Sequence, residues 1–286
     1  MKLSLMTLSM FIRIYYRYHM QQDMDDCIDL YDEMMRTTKD AGFDTVEVTS
    51  RETSLLGVNT VLSILHRNGL STGGYMFMDN LSLPSEQVID AVAAAETLGA
   101  DTLMLIPSWH TSLAGMSRDE IHQIYAHRWS NALQIAASKG IQVVVEDTPD
   151  QRLHLCKAED VTSFLDLLPG AELVYDSGNM ILAGEDPITY AQRLKDHIAY
   201  VHLKDMRIVA ANSRGADIAL DGRCMSSAKH GNGIIPLKDV ITELTNQGYC
   251  KRWVIELSMD GSDSYMEAAV HAKNAVQLVS TSPSLL

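Results

Sequence analysis

At 286 residues the chain could hold two average domains or one large α/β barrel. Its 46% apolar content is that of a globular protein with ample material for a core, which excludes a disordered chain. A formal charge of −14 argues against a general nucleic-acid or anionic-membrane surface, and its simplest consequence is solubility.

Strand-like and helix-like segments alternate from end to end. Leu3 to Leu8 reads as a strand, and Ser9 to Asp23 as a loop rich in aromatic residues (Phe11, Tyr15, Tyr16, Tyr18) with His19. A helix is expected from Met24 to Ala41, closed by Gly42, then a strand over Thr45 to Val48 and a helix over Val58 to Asn68 stopped by Gly69. Leu70 to Met78 is a third strand, followed by an alanine-rich helix from Ser85, placed as its cap, to Leu98. Thr102 to Ile106 and the helix Arg118 to Lys139 complete the first half. The second half pairs Ile141–Val145 with a helix near Ala158–Leu168, and Glu172–Tyr175 with one near Pro187–Lys195. Ile198–Leu203 leads through a long loop, Met206 to Gly233, to a helix near Leu237–Gln247, and Arg252–Leu257 leads to a last helix near Tyr265–Val279.

Eight strand–helix units without a low-complexity linker predict a single (β/α)8 barrel, one TIM-barrel domain over residues 1–286. A doubly wound sheet would show a glycine-rich first turn, and Leu8-Ser9-Met10 is not one. The scattered cysteines Cys27, Cys156, Cys224 and Cys250 read as reduced thiols. Lys2 and the apolar run after it superficially imitate a signal peptide, but Arg13 and Arg17 interrupt the run, and no small-residue cleavage site follows. The expectation is a cytoplasmic protein with no membrane span and no nucleic-acid partner. The aromatic first loop and the long seventh one lie where barrel lids lie, and the first is equally a candidate contact of a homo-oligomer.

Four apolar runs in the second half each end on a metal-capable side chain: Val143-Val144-Val145-Glu146, Leu173-Val174-Tyr175-Asp176, Ala199-Tyr200-Val201-His202 and Trp253-Val254-Ile255-Glu256. A barrel strand that stops on a carboxylate or imidazole delivers it to the carboxyl-terminal mouth. Alternate residues face inward, and all four fit inward positions on strands five to eight. Three carboxylates brought together repel one another, and a divalent cation relieves that repulsion while leaving positions for substrate oxygens. The imidazole favours a transition metal: Mn²⁺ first, with Mg²⁺ or Co²⁺ as alternatives.

The segments VVVEDTP, YDSGN, YVHLKD, HGNGIIPL and VIELS, in this order across nearly the whole chain, resemble those of the xylose isomerase-like barrels. That superfamily includes sugar and sugar-phosphate isomerases and epimerases, inosose dehydratases and type-2 apurinic endonucleases. The resemblance implies that Glu146, Asp176, His202 and Glu256 bind a catalytic divalent metal. In the ketose 3-epimerase branch it further implies that Glu146 and Glu256 act as bases on opposite faces of the substrate. Removing a proton beside a carbonyl on one face and returning it on the other inverts the carbon; moving it between adjacent carbons isomerises; losing a neighbouring hydroxyl dehydrates.

Departures from the family narrow these implications. Gly73-Gly74-Tyr75 and Leu105-Ile106-Pro107 stand where the endonucleases carry additional metal histidines, which argues against DNA repair. Asn179 replaces the histidine that usually follows the aspartate by three residues in ketose 3-epimerases, and Arg152 replaces a glutamate six residues after the first metal glutamate. Lys204, in the HxKD pattern, is a candidate acid or polariser with a depressed pKa, or else the partner of a neighbouring carboxylate. Trp109 is placed to stack on a sugar and His110 to donate a proton. Arg207, Arg214, Arg223 and Lys229 make the seventh loop locally basic, suited to a phosphate or carboxylate or to pairing with Asp217 and Asp221; His230-Gly231-Asn232-Gly233 reads as a structural turn. The expected function is therefore a metal-dependent epimerase or isomerase of a keto sugar or its phosphate. A lyase of the same fold acting on an inosose or 3-keto sugar derivative is the alternative, with a non-catalytic sugar- or protein-binding barrel third.

Overall fold

The computed structural model describes residues 2–213, 215–258 and 264–280. Eight parallel strands close into a barrel: β1 (Lys2–Met6), β2 (Thr45–Thr49), β3 (Ser71–Asn80), β4 (Thr102–Ser108), β5 (Gln142–Glu146), β6 (Glu172–Asp176), β7 (Ile198–Leu203) and, last in the chain, β11 (Arg252–Ile255), which pairs with both β7 and β1. The chain is a (β/α)8 TIM barrel, as its alternation of elements implied.

Period two along each strand divides the apolar residues between two cores. Met6, Met76, Met104, Val144, Val174, Tyr200 and Val254 fill the barrel interior, while their strand neighbours, such as Leu5, Leu105, Val145 and Val201, pack outward against the helices. Val144, Val174, Tyr200 and Val254 each stand two residues before one of the mouth residues Glu146, Asp176, His202 and Glu256. The parity that buries the interior core thereby turns those four side chains inward. Two register shifts adjust this parity. Between β2 and β3, Val46 pairs with Thr72 but Glu47 with Gly74, leaving Gly73 as an extra residue. Between β6 and β7, Leu173 pairs with Ile198 but Val174 with Tyr200, so that Ala199 and Tyr200, although adjacent, both join the interior.

Three segments differ from the sequence expectation. The presumed loop Ser9–Asp23 is mostly helix α1 (Leu8–Gln21), because Met10, Phe11 and Ile14 form a buried helical stripe that the surrounding tyrosines obscure. A short helix α3 (Ser50–Leu56) follows β2 directly, between α2 (Met24–Asp40) and α4 (Val58–Arg67). The long loop after β7 holds an antiparallel sheet of β8 (Asp205–Val209), β10 (Cys224–Ala228) and β9 (Asp217–Ile218), in that spatial order. Ser85 does begin α5 (Glu86–Leu98), but its side chain makes no capping bond; Ser117 makes a complete capping box with Glu120 at α6 (Arg118–Ser138).

Helix α6 is fastened to β3 by a buried carboxylate. Asp79 Oδ2 accepts from Arg128 Nε and from Trp129 Nε1, both at 2.7 Å. Replacing Asp79 by Asn can keep an oxygen for both donors but removes the charge, leaving the Arg128 guanidinium short of a counter-charge. The expected cost is about 2 kcal/mol in urea unfolding, and a midpoint equal to wild type would show that the pair contributes nothing. All four thiols are free, and among the described residues no helix is long and apolar enough to cross a membrane.

Candidate metal centre

At the carboxyl ends of β5, β6, β7 and β11, Glu146, Asp176, His202 and Glu256 bring one ligand atom each to within 4.8 Å of one another. His202 Nδ1 lies 2.7 Å from Glu146 Oε1 and 4.0 Å from both Asp176 Oδ2 and Glu256 Oε2. Asp176 and His202 are fully buried. The loop after β6 turns back so that the Gly178 and Asn179 amides donate to Asp176 Oδ1 at 2.7 and 2.8 Å. The other oxygen, Oδ2, is buried without a hydrogen-bond partner and faces the cluster. An orphaned buried carboxylate oxygen beside two more carboxylates and an imidazole fits a divalent cation by donor chemistry and convergence alike.

The electrostatics describe the same convergence. Burial, with repulsion from Glu256 and Glu146, raises the Asp176 carboxyl to about 7 against the pull of Lys204. Burial would also raise Glu256, but Lys204 and His202 outweigh it and hold that carboxyl below its usual range. Burial pushes the His202 imidazole down, yet the charges of Glu47 and Glu146 carry it well above normal. A cation among these groups would replace their mutual protonation as the source of neutrality.

Lys204 is half-buried beside the cluster, with Nζ 2.8 Å from Glu256 Oε1 and 3.2 Å from Asn179 Oδ1. It has the carboxylate partner, and its pKa is raised rather than depressed: burial lowers it, but Glu256 and Asp176 outweigh that. Ser177 bridges β6 to β7 by accepting from the Lys204 amide at 2.8 Å. Gly178 leaves room for the lysine stem, since a Cβ there would lie 3.0 Å from Lys204 Cδ. Asp205 turns away from the mouth and accepts from the amides of Gly231, Gly233 and Ile235, which makes the His230–Gly233 turn its cradle.

A cavity of about 310 Å³ opens over the cluster. Met6, Met76, Met78 and Ile106 form an apolar wall, and Trp109, Asp150, Asn179, Lys204, Glu146 and Glu256 form a polar one. Of the sequence candidates, Trp109, Asn179, Lys204 and both glutamates therefore meet at one mouth. Arg152 reaches it indirectly: its guanidinium lies 4.7 Å over the Trp109 ring and pairs with Asp150 at 2.6 Å. His110 and Arg207 are not among the lining residues. The His110 ring engages Ser112 in its own turn at 2.8 Å, and Arg207 is exposed on β8, 3.4 Å from the Ser226 hydroxyl. Arg223 pairs with Asp221 at 2.5 Å, and Arg214 lies outside the described residues.

Two buried acids beside the site escaped the sequence reading. Asp147, next to Glu146, has both carboxylate oxygens buried without partners, and burial and then repulsion from Asp176 and Glu146 hold its carboxyl well above the usual range. Glu47 lies within β2 at 1% exposure, its Oε2 3.2 Å from His202 Nε2. Its one sequence signal was an acid between valines in Thr45-Val46-Glu47-Val48, a charge where a barrel strand should be apolar.

Comparisons with known proteins agree with this architecture. An inosose dehydratase from Lacticaseibacillus casei is 29% identical over 108 residues, a match spanning 35% of this chain and 35% of that relative's length. The barrel superposes on the crystal structure of the IOLI protein with a binding zinc atom at a TM-score of 0.70 and 14% identity, covering 98% of each chain. It superposes on the apo 3-keto-D-glucoside 4-epimerase of E. coli at 0.67 and 14% identity, covering 99% of this chain and 100% of the other. The family model of the xylose isomerase-like TIM barrel matches residues 35–277. The chain belongs to the xylose isomerase-like TIM barrel family.

Proposed function

We propose that this protein is a divalent-metal-dependent enzyme that epimerises or isomerises a keto sugar, or its phosphate, by moving a proton next to a carbonyl. The observation that carries the reading is the convergence of Glu146, Asp176, His202 and Glu256 within 4.8 Å beneath a cavity that Glu146 and Glu256 also line. These four residues would hold the cation, with Mn²⁺ the best match to three carboxylates and one imidazole. When bound, the cation supplies Lewis-acid stabilisation of the negative charge that grows as the proton leaves.

The protein's own groups divide the remaining work. Glu146 and Glu256 stand at the ends of different strands, β5 and β11, with β6 and β7 between them in the barrel order. Each reaches the cavity, so one takes the proton and the other returns it. Lys204, kept cationic by Glu256, presents a positive donor to a substrate oxygen, and Asn179 holds that ammonium in place at 3.2 Å. Trp109, backed by the Arg152 guanidinium, offers an aromatic face to the sugar's C–H groups. The apolar wall of Met6, Met76 and Met78 keeps competing water from the reacting carbon.

A second reading, dehydration of an inosose or a 3-keto sugar derivative, is favoured by the same Lys204, because elimination needs a proton donor for the departing hydroxyl. The partial match to an inosose dehydratase also supports it. With Mn²⁺ present, incubation of a ketose and inosose panel in deuterated water should exchange the hydrogen beside the carbonyl, and chelation should stop it. Net loss of water from an inosose would favour the second reading over the first. A folded, metal-loaded protein that neither exchanges nor dehydrates any member of the panel would refute both.

A further inference from the structure

Glu47 is a buried carboxylate on the far side of His202 from the cation cluster. Its Oε2 lies 3.2 Å from His202 Nε2, while Nδ1 of the same ring faces Glu146 at 2.7 Å and Asp176 and Glu256 at 4.0 Å. A neutral imidazole carries one N–H and one lone pair, so a fixed acceptor at Nε2 leaves the Nδ1 lone pair for a cation. We propose that Glu47 is the positioning residue of the metal centre: it holds the His202 ring by accepting from Nε2–H and thereby sets Nδ1 as the ligand atom. The inference rests on the metal reading above and adds to it a residue outside the four donors.

The barrel is built around this contact. The register shift at Val46/Glu47 leaves Gly73 as an extra residue on β3 and pairs Glu47 with Gly74. No side chain fits at Gly74, where a Cβ would lie 2.7 Å from Tyr200 Oη and 3.1 Å from Glu47 Oε2. The missing side chain thus lets the phenol and the carboxylate meet over the same backbone position. Beneath them, Arg252 takes the space a side chain at Gly73 would need, donates to the Gly73 carbonyl at 2.6 Å and pairs with Asp101 at 3.0 Å. The Tyr200 phenol interacts with both Glu47 and Arg252. A column of Arg252, Tyr200 and Glu47 therefore runs up the barrel axis to His202.

The test is the affinity of the purified protein for Mn²⁺ by calorimetry, joined to the ring-nitrogen NMR signals of His202 in the Zn²⁺-loaded form. Wild type should bind the cation and show a proton on Nε2. Glu47→Ala should weaken Mn²⁺ binding 10- to 100-fold and lose the single Nε2–H form, while Glu47→Gln, which keeps an acceptor, recovers part of both. Tyr200→Phe, which leaves the ring packing intact, should weaken binding severalfold, and it keeps the proposal testable if Glu47→Ala does not fold. Weakened binding with His202 still held in the Nε2–H form would mean that Glu47 acts by charge alone, and would overturn the proposal. So would wild-type affinity and wild-type signals in the folded variants. A wild-type protein that takes up neither cation would instead overturn the metal reading, and this inference with it.

Discussion

Glu146→Gln and Glu256→Gln should each abolish measurable turnover while leaving a folded barrel. A glutamine keeps the size of the side chain and one neutral oxygen but cannot accept a proton. Loss of a positioned general base lowers rates by roughly 10²–10⁴, and weakening a cation's ligand set adds to that. The two variants should differ in how they fail. Glu256 pairs with Lys204 at 2.8 Å, so Glu256→Gln also frees the ammonium, whereas Glu146 contacts His202. If the two acids serve opposite faces, each variant retains exchange of the proton the surviving glutamate can reach, and it does so with opposite stereochemical preference. The measurement is deuterium incorporation from each epimer separately, at Mn²⁺ concentrations that saturate the variant. Either variant turning over within tenfold of wild type would remove that glutamate from the proposed chemistry.

Lys204 makes this arrangement asymmetric. Its ammonium neutralises Glu256 and Asp176 in part, and Glu146 instead meets the imidazole, so the two candidate bases begin from different electrostatic surroundings. Glu256 is held ionised by its neighbours, Lys204 first and then His202. Glu146 lies against His202, whose far nitrogen faces Glu47. The candidate substrate contacts Trp109, Asn179 and Lys204 line the same cavity as Met6, Met76 and Met78.

The barrel and its four mouth residues were legible because both are written in period two. A β-branched run that ends on an acid states at once that a strand is present, which face is buried and which residue reaches the mouth. Helix α1 was not legible in the same way, since Tyr15, Tyr16 and Tyr18 surround the stripe of Met10, Phe11 and Ile14 and blur its helical period. The sheet of β8, β9 and β10 was hidden because its strands, such as Asp217–Ile218, are short and partly exposed. Glu47 was missed because it sits within its strand, and only the register shift opposite Gly73 shows what it meets. Arg152 and His110 mark another limit. Sequence position put both near the mouth, but side-chain direction is decided by local partners, Asp150 for one and Ser112 for the other.

Stability should fall as pH rises from about 5 to 8, and Glu52→Gln should remove most of that slope. Glu52, on α3, is fully buried, and burial raises its carboxyl to about 8 in spite of hydrogen bonds from Thr7, Tyr31 and Thr49. A protonated acid also fits the contacts of Thr7. The Thr7 hydroxyl has one hydrogen but contacts both the Glu47 carbonyl, at 2.8 Å, and Glu52 Oε1; if it donates to the carbonyl, Glu52 must donate to it. Below the usual carboxylate pKa of 4.5, Glu52 is neutral in the native and unfolded chains alike, and its contribution is intact. Between there and about 8 the unfolded chain ionises while the native one keeps its proton, so folding loses free energy; above about 8 both are ionised and the loss levels off. The full shift corresponds to a loss on the order of 5 kcal/mol. A glutamine at this position is neutral at every pH, and with its amide N–H facing Thr7 its oxygen accepts from the Tyr31 hydroxyl, which sits 3.1 Å from Glu52 Oε2. The check is urea unfolding of both proteins at pH 5, 6.5 and 8. The variant should gain on wild type at each step upward in pH, and parallel curves would place the Glu52 carboxyl near its ordinary pKa and sink the prediction.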